Sequence, residues 1–141
     1  MSSDTILKNL ETIINKNLDN IDIPLKHGKS IYIKNYSVSQ QSNGTFVVIN
    51  THANKQIATT EFKVSAIAIA RDCAKGRNNV KEILSLDKDL SKHYNDALFY
   101  KNAIKNAKTS EVVEIKTIRL DQSVAMSKKI RKSLNYFIFR H

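Results

Sequence analysis

The stretch ILSLDKDLSKHYNDALFYKNAIKNA, residues 83–107, decides the fold of this chain. Apolar or small side chains recur in it at steps of three and four residues, which is a heptad seam and predicts a long helix. The turn sequence Lys108-Thr109-Ser110 follows, and a second helical pattern then runs to the C-terminus. Glycine and proline are absent from Arg77 onward, so nothing interrupts either helix. The sequence therefore predicts a long antiparallel helical hairpin. The seam consists of Ile83, Leu86, Leu90, His93, Ala97, Tyr100, Ile104 and Ala107.

The first half of the chain carries strand patterns instead. Residues 5–18 form an amphipathic helical pattern, and a run rich in isoleucine, tyrosine and valine follows over 30–39. Asn43-Gly44 separates that run from a second one over 45–50, and this pair is a strong signal for a hairpin with a type I′ turn. A shorter third strand is predicted over 56–61.

A short helix is predicted after the third strand. Residues 64–74 contain alanine at four positions, and small side chains let a helix lie close to a sheet. Gly76 is placed to end this helix in the left-handed conformation. Asn78 or Asn79 is predicted to cap the first long helix, and Ser110 is predicted to cap the second.

These patterns together predict an α+β fold. It consists of a small three-stranded antiparallel sheet with helices on one face, followed by the long antiparallel α-helical hairpin. We expect an α-β-β-β-α head over residues 1–76 and the hairpin over 77–141.

The strongest physical character of the chain is its positive charge. It has 141 residues and a formal net charge of +10. Residues 1–25 are slightly acidic, whereas every later part of the chain is basic. A basic surface of this size attracts polyanions such as nucleic acid or an acidic protein face. The alternative is that the surface lysines only keep the protein soluble. No apolar run is long enough for a membrane span, no signal peptide is evident, and the single Cys73 excludes an internal disulfide.

Motifs that carry chemistry are few. His27-Gly28-Lys29-Ser30 resembles the end of a phosphate-binding loop, but the earlier glycine of that motif is absent. His93 and Asp96 share a helix face without the further ligands that zinc needs, so neither a metal nor a cofactor is predicted. Asp87 and Asp89 lie in a charged run that we interpret as solvated. The sequence therefore favours a non-catalytic binding protein over an enzyme.

The basic side chains are the best candidates for function. Several of them lie close to tyrosines, and lysine or arginine beside aromatic rings suits phosphate contact combined with base stacking. The alternative is that these tyrosines only pack within the sheet. The predicted nucleic-acid-binding residues are Lys29, Lys34, Lys63, Arg71, Lys75, Lys128, Lys129, Arg131 and Lys132.

The order helix, three strands, helix resembles the double-stranded-RNA-binding domain. In that family a lysine pair at the start of the second helix contacts phosphates, and the matching stretch here, residues 62–66, contains one lysine, Lys63. The family's Gly-Pro-x-His loop is replaced by residues 41–44. The resemblance covers at most the first 76 residues, and it implies contact with RNA.

A second resemblance concerns the segments 85–100 and 134–139. They look like parts of small uncharacterised proteins of marine tailed bacteriophages. This resemblance implies a viral accessory or virion protein in the host cytoplasm or the particle.

Two functions remain as alternatives. The first is contact with nucleic acid or another acidic surface through the lysines. The second is a structural or assembly role in a virion, in which the hairpin and the sheet edge contact other virion proteins or further copies of this chain.

Overall fold

A computed structural model describes residues 30–139, and these residues form a mixed α+β fold. The α+β class predicted from the sequence is confirmed. The helix predicted over 5–18 lies outside the described residues, as does Lys29. The elements in chain order are β1 (Ile31–Ile33), β2 (Tyr36–Gln40), β3 (Phe46–Asn50), β4 (Lys55–Thr60), α1 (Lys63–Ala74), α2 (Val80–Lys105) and α3 (Ser110–Phe139).

The sheet has four antiparallel strands in the order β1-β2-β3-β4. The prediction of three strands is wrong, because the run over 30–39 folds into two strands. Ile33 pairs with Tyr36 across a turn of only two residues, Lys34 and Asn35. Lys34 adopts a φ of 53° in this turn, which lies in the left-handed region. A sequence without glycine at this position does not predict such a conformation.

The turn between β2 and β3 lies where Asn43-Gly44 predicted it, but its type differs. Gly44 adopts a φ of 90°, whereas Asn43 does not have a positive φ, so the type I′ prediction is wrong. The Gly44 amide donates to the Gln41 carbonyl at 3.0 Å, and the Gln41 amide donates to the Thr45 carbonyl at 2.8 Å. A glycine with positive φ at the end of the turn is typical of hairpin loops that are longer than two residues.

Helix α1 lies between the sheet and the two long helices. The paired residues Ile31, Val38, Val48 and Ala58 form a buried row across the four strands, and they share one core cluster with α1. Every residue of α1 from 64 to 70 is buried, because the sheet packs on one side of the helix and α2 and α3 pack on the other. The small side chains predicted for this helix therefore allow close packing on two sides.

Helices α2 and α3 are antiparallel and are joined by residues 106–109. At 1.5 Å per residue they are about 39 Å and about 45 Å long. Near the connection, the Lys116 ammonium lies 5.7 Å from the centre of the Tyr100 ring. The seam residues Ile83, Leu90 and Ala97 of α2 are fully buried.

One core cluster contains residues on both sides of the boundary predicted at residue 76. Asp72 fixes the connection at this boundary. Its carboxylate accepts hydrogen bonds from the Asn79 backbone amide and side-chain amide, both at 2.8 Å. Asn79 occupies the N-cap position of α2, as predicted, but its side-chain amide binds Asp72 and makes no capping hydrogen bond to the helix. Gly76 ends α1 at a φ of 74°, as predicted.

Helix α3 also begins differently from the prediction. Ser110 is its first residue and not its cap, because the Val112 amide donates to the Thr109 hydroxyl at 3.3 Å. A threonine before the first helical residue is a favourable cap.

The interpretation of Asp87 as a solvated residue is wrong. Asp87 is 5% exposed, and its carboxylate accepts hydrogen bonds from the backbone amides of Glu61 at 2.9 Å and Phe62 at 3.2 Å. These amides precede α1, so α2 supplies the carboxylate that caps the start of α1. Asp89, two residues further on, is exposed as expected.

We expect the substitution Asp87→Ala to lower the free energy of unfolding by about 2 kcal/mol, because it removes a helix cap and leaves two backbone donors without their acceptor. Asp89→Ala is the matched control, with an expected change within about 0.5 kcal/mol. Urea denaturation followed by circular dichroism measures both. Equal effects of the two substitutions would contradict the role of Asp87.

Candidate nucleic-acid interface

The C-terminal half of α3 presents an exposed basic face. Lys128, Lys129 and Lys132 are exposed, and Tyr136, one turn after Lys132, is 56% exposed. At about 100° per residue these four side chains fall within an arc of about 100° on the helix surface. No acidic residue follows Asp121 in the sequence. We call the four residues the α3 basic face.

Arg131 does not belong to this face, contrary to the prediction. It is 3% exposed and lies in the inward row with Ser127, Leu134 and Ile138. Its Nη1 donates a hydrogen bond to the Asn135 side-chain oxygen. Burial lowers the pKa of Arg131 to about 10, so the guanidinium remains protonated at neutral pH but is not presented to an external polyanion. The pattern of basic residues alone could not separate Arg131 from its neighbours.

The α3 basic face lies before the C-terminal end of the helix. Helix α3 continues to Phe139, and its last turn contains no basic residue within the described part of the chain. The lysines therefore gain little from the negative end of the helix dipole, whose effect is confined to the last turn. Their charges are directed to the surroundings of the protein.

A second group of basic residues lies where α1 and α3 end. The Lys34 ammonium donates to the Ala74 carbonyl at 3.2 Å, and Arg71 Nη1 donates to the Ile138 carbonyl at 3.2 Å. Lys75 follows directly after α1 and is exposed. Cations at these carbonyls stabilise the two helix ends. Lys34 and Arg71 thus have a structural role that an incoming phosphate would have to disrupt.

Lys63 stands apart from both groups. It is the first residue of α1 and is partly buried, about 17 Å along the helix from the group at the other end. The positive end of α1, where a phosphate would bind, is occupied by the Asp87 carboxylate. This arrangement weighs against RNA contact of the kind that the resemblance implied.

His27-Gly28-Lys29 lies outside the described residues, and the chemical candidates within residues 30–139 do not assemble into a site. His93 and Asp96 line a shallow groove between α2 and α3 together with Arg119. Within residues 30–139, no group of three or more histidine, cysteine, aspartate or glutamate side chains is placed to hold a metal ion. Burial and, to a smaller degree, the neighbouring Asp72 raise the pKa of the Cys73 thiol, which keeps it in the less reactive protonated form.

Tyr136 is the residue of the α3 basic face that was not among the binding residues predicted from the sequence. The signal was present, because Tyr136 follows Lys132 by four residues and Lys129 by seven, and helical spacing places the three on one side. Tyr136 begins a run of aromatic and apolar residues over 136–139, and this run obscures the helical spacing. Phe137 is buried, whereas Tyr136 is not, and only the packing of α3 distinguishes them.

No protein-family model, curated protein or solved structure matches this chain. The resemblances to the double-stranded-RNA-binding domain and to bacteriophage proteins therefore remain hypotheses. None of the helices described within residues 30–139 has the length and apolar character required to cross a bilayer.

Proposed function

We propose that this chain is a non-catalytic binding protein that contacts nucleic acid through the α3 basic face. The observation that carries the proposal is the exposure of Lys128, Lys129 and Lys132 on one side of a helix segment without acidic residues. Ammonium groups this close together can follow neighbouring phosphates of one strand.

Tyr136 adds the second element of the proposal. Its ring is exposed beside the lysines, so a base of a single-stranded or unpaired segment can stack on it while the lysines contact the backbone. Every base presents a flat π-face for such stacking, whereas the carboxylates of an acidic protein surface do not. The proposal therefore favours nucleic acid with accessible bases over an acidic protein.

The test is a titration of fluorescently labelled 30-nucleotide single-stranded DNA and RNA, and of the matching duplexes, with the full chain. Three phosphate contacts predict that affinity for the duplex falls roughly 100-fold between 50 and 300 mM salt. Single strands are expected to bind more tightly than duplexes, and Tyr136→Ala is expected to remove this preference at a cost of about 1–3 kcal/mol.

Two results would contradict the proposal. One is the absence of binding at 50 mM salt with 100 µM protein, and the other is binding that salt does not weaken. Polyglutamate of similar length is the control polyanion. Equal affinity for polyglutamate would assign the lysines to an acidic protein partner instead.

The assembly role is the second candidate, and a separate observation favours it. The half of the hairpin near the α2–α3 connection exposes apolar side chains, among them Phe99, Ile115 and Ile118. Exposed apolar groups at this density are typical of protein contacts. Whether such contacts occur within a virion depends on the resemblance to bacteriophage proteins, which stays a hypothesis.

A further inference from the structure

The first three turns of α3 carry an unusual exposed surface. Val112, Ile115 and Ile118 are 40%, 54% and 53% exposed and recur every three residues. At about 100° per residue they occupy an arc of about 120°, which is as wide as the apolar stripe of a helix that packs against another element. Ser110 to Arg119 thus has a second packing face besides the one that contacts α2.

The charged residues beside this stripe are placed symmetrically before and after Ile115. Glu111 and Arg119 lie four residues before and after it, and Glu114 and Lys116 lie one residue before and after it. The apolar residues follow the same symmetry, because Val112 and Ile118 are each three residues from Ile115. Glu111 and Glu114 therefore each have a basic residue at the mirror position, and Val112 has Ile118. The Lys116 ammonium lies over the Tyr100 ring of α2, so Glu111 and Arg119 are the exposed pair of opposite charge.

Glu111 lies in the first turn of α3, where its negative charge favours the positive end of the helix, but Arg119 has no comparable role within α3. Oppositely charged residues stabilise a helix at spacings of three or four, and none of the four charged residues has such a partner within 110–119. Glu111, Glu114 and Arg119 are exposed. Within residues 110–119, Arg119 therefore lacks an oppositely charged neighbour on its own helix, and a second helix can supply one.

We propose that a second copy of this chain packs its α3 antiparallel against this one, with a two-fold axis at Ile115. In this pairing Ile115 contacts Ile115 of the other copy, and Val112 contacts Ile118. Glu111 opposes Arg119, because both lie within about 40° of the direction in which Ile115 points. A two-fold interface must be complementary to itself, and this segment is complementary to itself only in the antiparallel direction. A parallel pairing would oppose like charges and is disfavoured.

The contact is small, and its strength follows from its size. About three helical turns meet, so the total buried area lies below about 1,200 Å², which is the range of weak and reversible complexes. We expect a dimer with a dissociation constant of tens of micromolar. The interface leaves the α3 basic face uncovered, because that face begins about two and a half turns beyond Arg119 and ends about five turns beyond it.

Analytical ultracentrifugation of the full, nucleic-acid-free chain between 5 and 500 µM tests the proposal. Glu111→Arg places arginine opposite Arg119, and Arg119→Glu places glutamate opposite Glu111, so each single variant is expected to raise the dissociation constant at least tenfold. The variant with both substitutions restores the opposite charges and is expected to lie within threefold of the unmodified chain. All substituted positions are exposed, and circular dichroism confirms that each variant is folded.

A cross-linking measurement tests the position of the axis in a Cys73→Ser background. Ile115→Cys places two thiols at the axis and is expected to form a disulfide-linked dimer quickly under mild oxidation. Val112→Cys is the control, because in the pairing it faces Ile118 and its own counterpart lies about 9 Å away along the helix. A monomer at 500 µM, single variants that dimerise like the unmodified chain, a double variant that is not restored, or equal cross-linking at both positions would each overturn the proposal.

Discussion

Replacing Lys128, Lys129 and Lys132 together by glutamate is expected to raise the dissociation constant for nucleic acid by at least about 100-fold at 50 mM salt. Each lysine that contacts a phosphate releases a counterion, and each glutamate in its place adds repulsion. The dependence of log affinity on log salt concentration is expected to become shallower by about three. Fluorescence anisotropy over a salt series gives both quantities.

The matched control is the replacement of Lys88, Lys92 and Lys105 by glutamate. These lysines are exposed on α2, and the change lowers the formal net charge from +10 to +4, as the α3 variant does. If the α3 basic face is the binding surface, the α2 variant retains most of the affinity and loses only the general attraction of the whole protein. Equal losses in the two variants would show that net charge alone determines binding.

The largest effect on stability is expected from Ile69→Ala. Ile69 is fully buried in α1, where the sheet packs on one side and the long helices pack on the other. Removing its side chain leaves a cavity that the packed layers cannot close, which costs about 3–5 kcal/mol. That loss is a large fraction of the stability of a domain of this size. Met126→Ala, on the exposed face of α3, is expected to change stability by less than about 0.5 kcal/mol.

The same variant tests whether the sheet and the hairpin unfold together. Because one core cluster joins them, we expect Ile69→Ala to lower the protection of backbone amides against hydrogen exchange equally in β3 and in α2. Hydrogen exchange followed by mass spectrometry resolves the two segments. Loss of protection in the sheet alone would mean that the head and the hairpin are separate folding units, as the predicted boundary at residue 76 implies.

The sequence predicted those parts of the fold that depend on local periodicity. The heptad seam over residues 83–107 predicted a long helix with Ile83, Leu90 and Ala97 inside, and these side chains are buried. Gly76 predicted the end of α1 because a left-handed residue there is nearly specific to glycine. The division of residues 30–39 into two strands was not predictable, because Lys34 adopts its left-handed conformation without a glycine signal.

The candidate site was less predictable, because its residues differ in tertiary position and not in type. Lys128 and Arg131 are both basic and lie within one turn, yet the first is exposed and the second is buried in the core. Asp87 and Asp89 look equivalent in the sequence, but only Asp87 reaches the backbone amides before α1, and those amides are 25 and 26 residues away. Such contacts depend on how α1 and α2 pack, which no local pattern encodes.

Helix α3 finally sets a distance. It is continuous from Ser110 to Phe139, so Ile115 and the middle of the α3 basic face are separated by about 25 Å of helix. If two copies pair about Ile115, their basic faces lie about 50 Å apart, on opposite sides of the axis. One nucleic-acid strand that spans this gap can bind both faces, and the second contact then forms at a high effective concentration. The length of one helix would thereby set the shortest strand that binds tightly. Strands long enough to span both faces would bind tightly, and shorter strands would bind weakly.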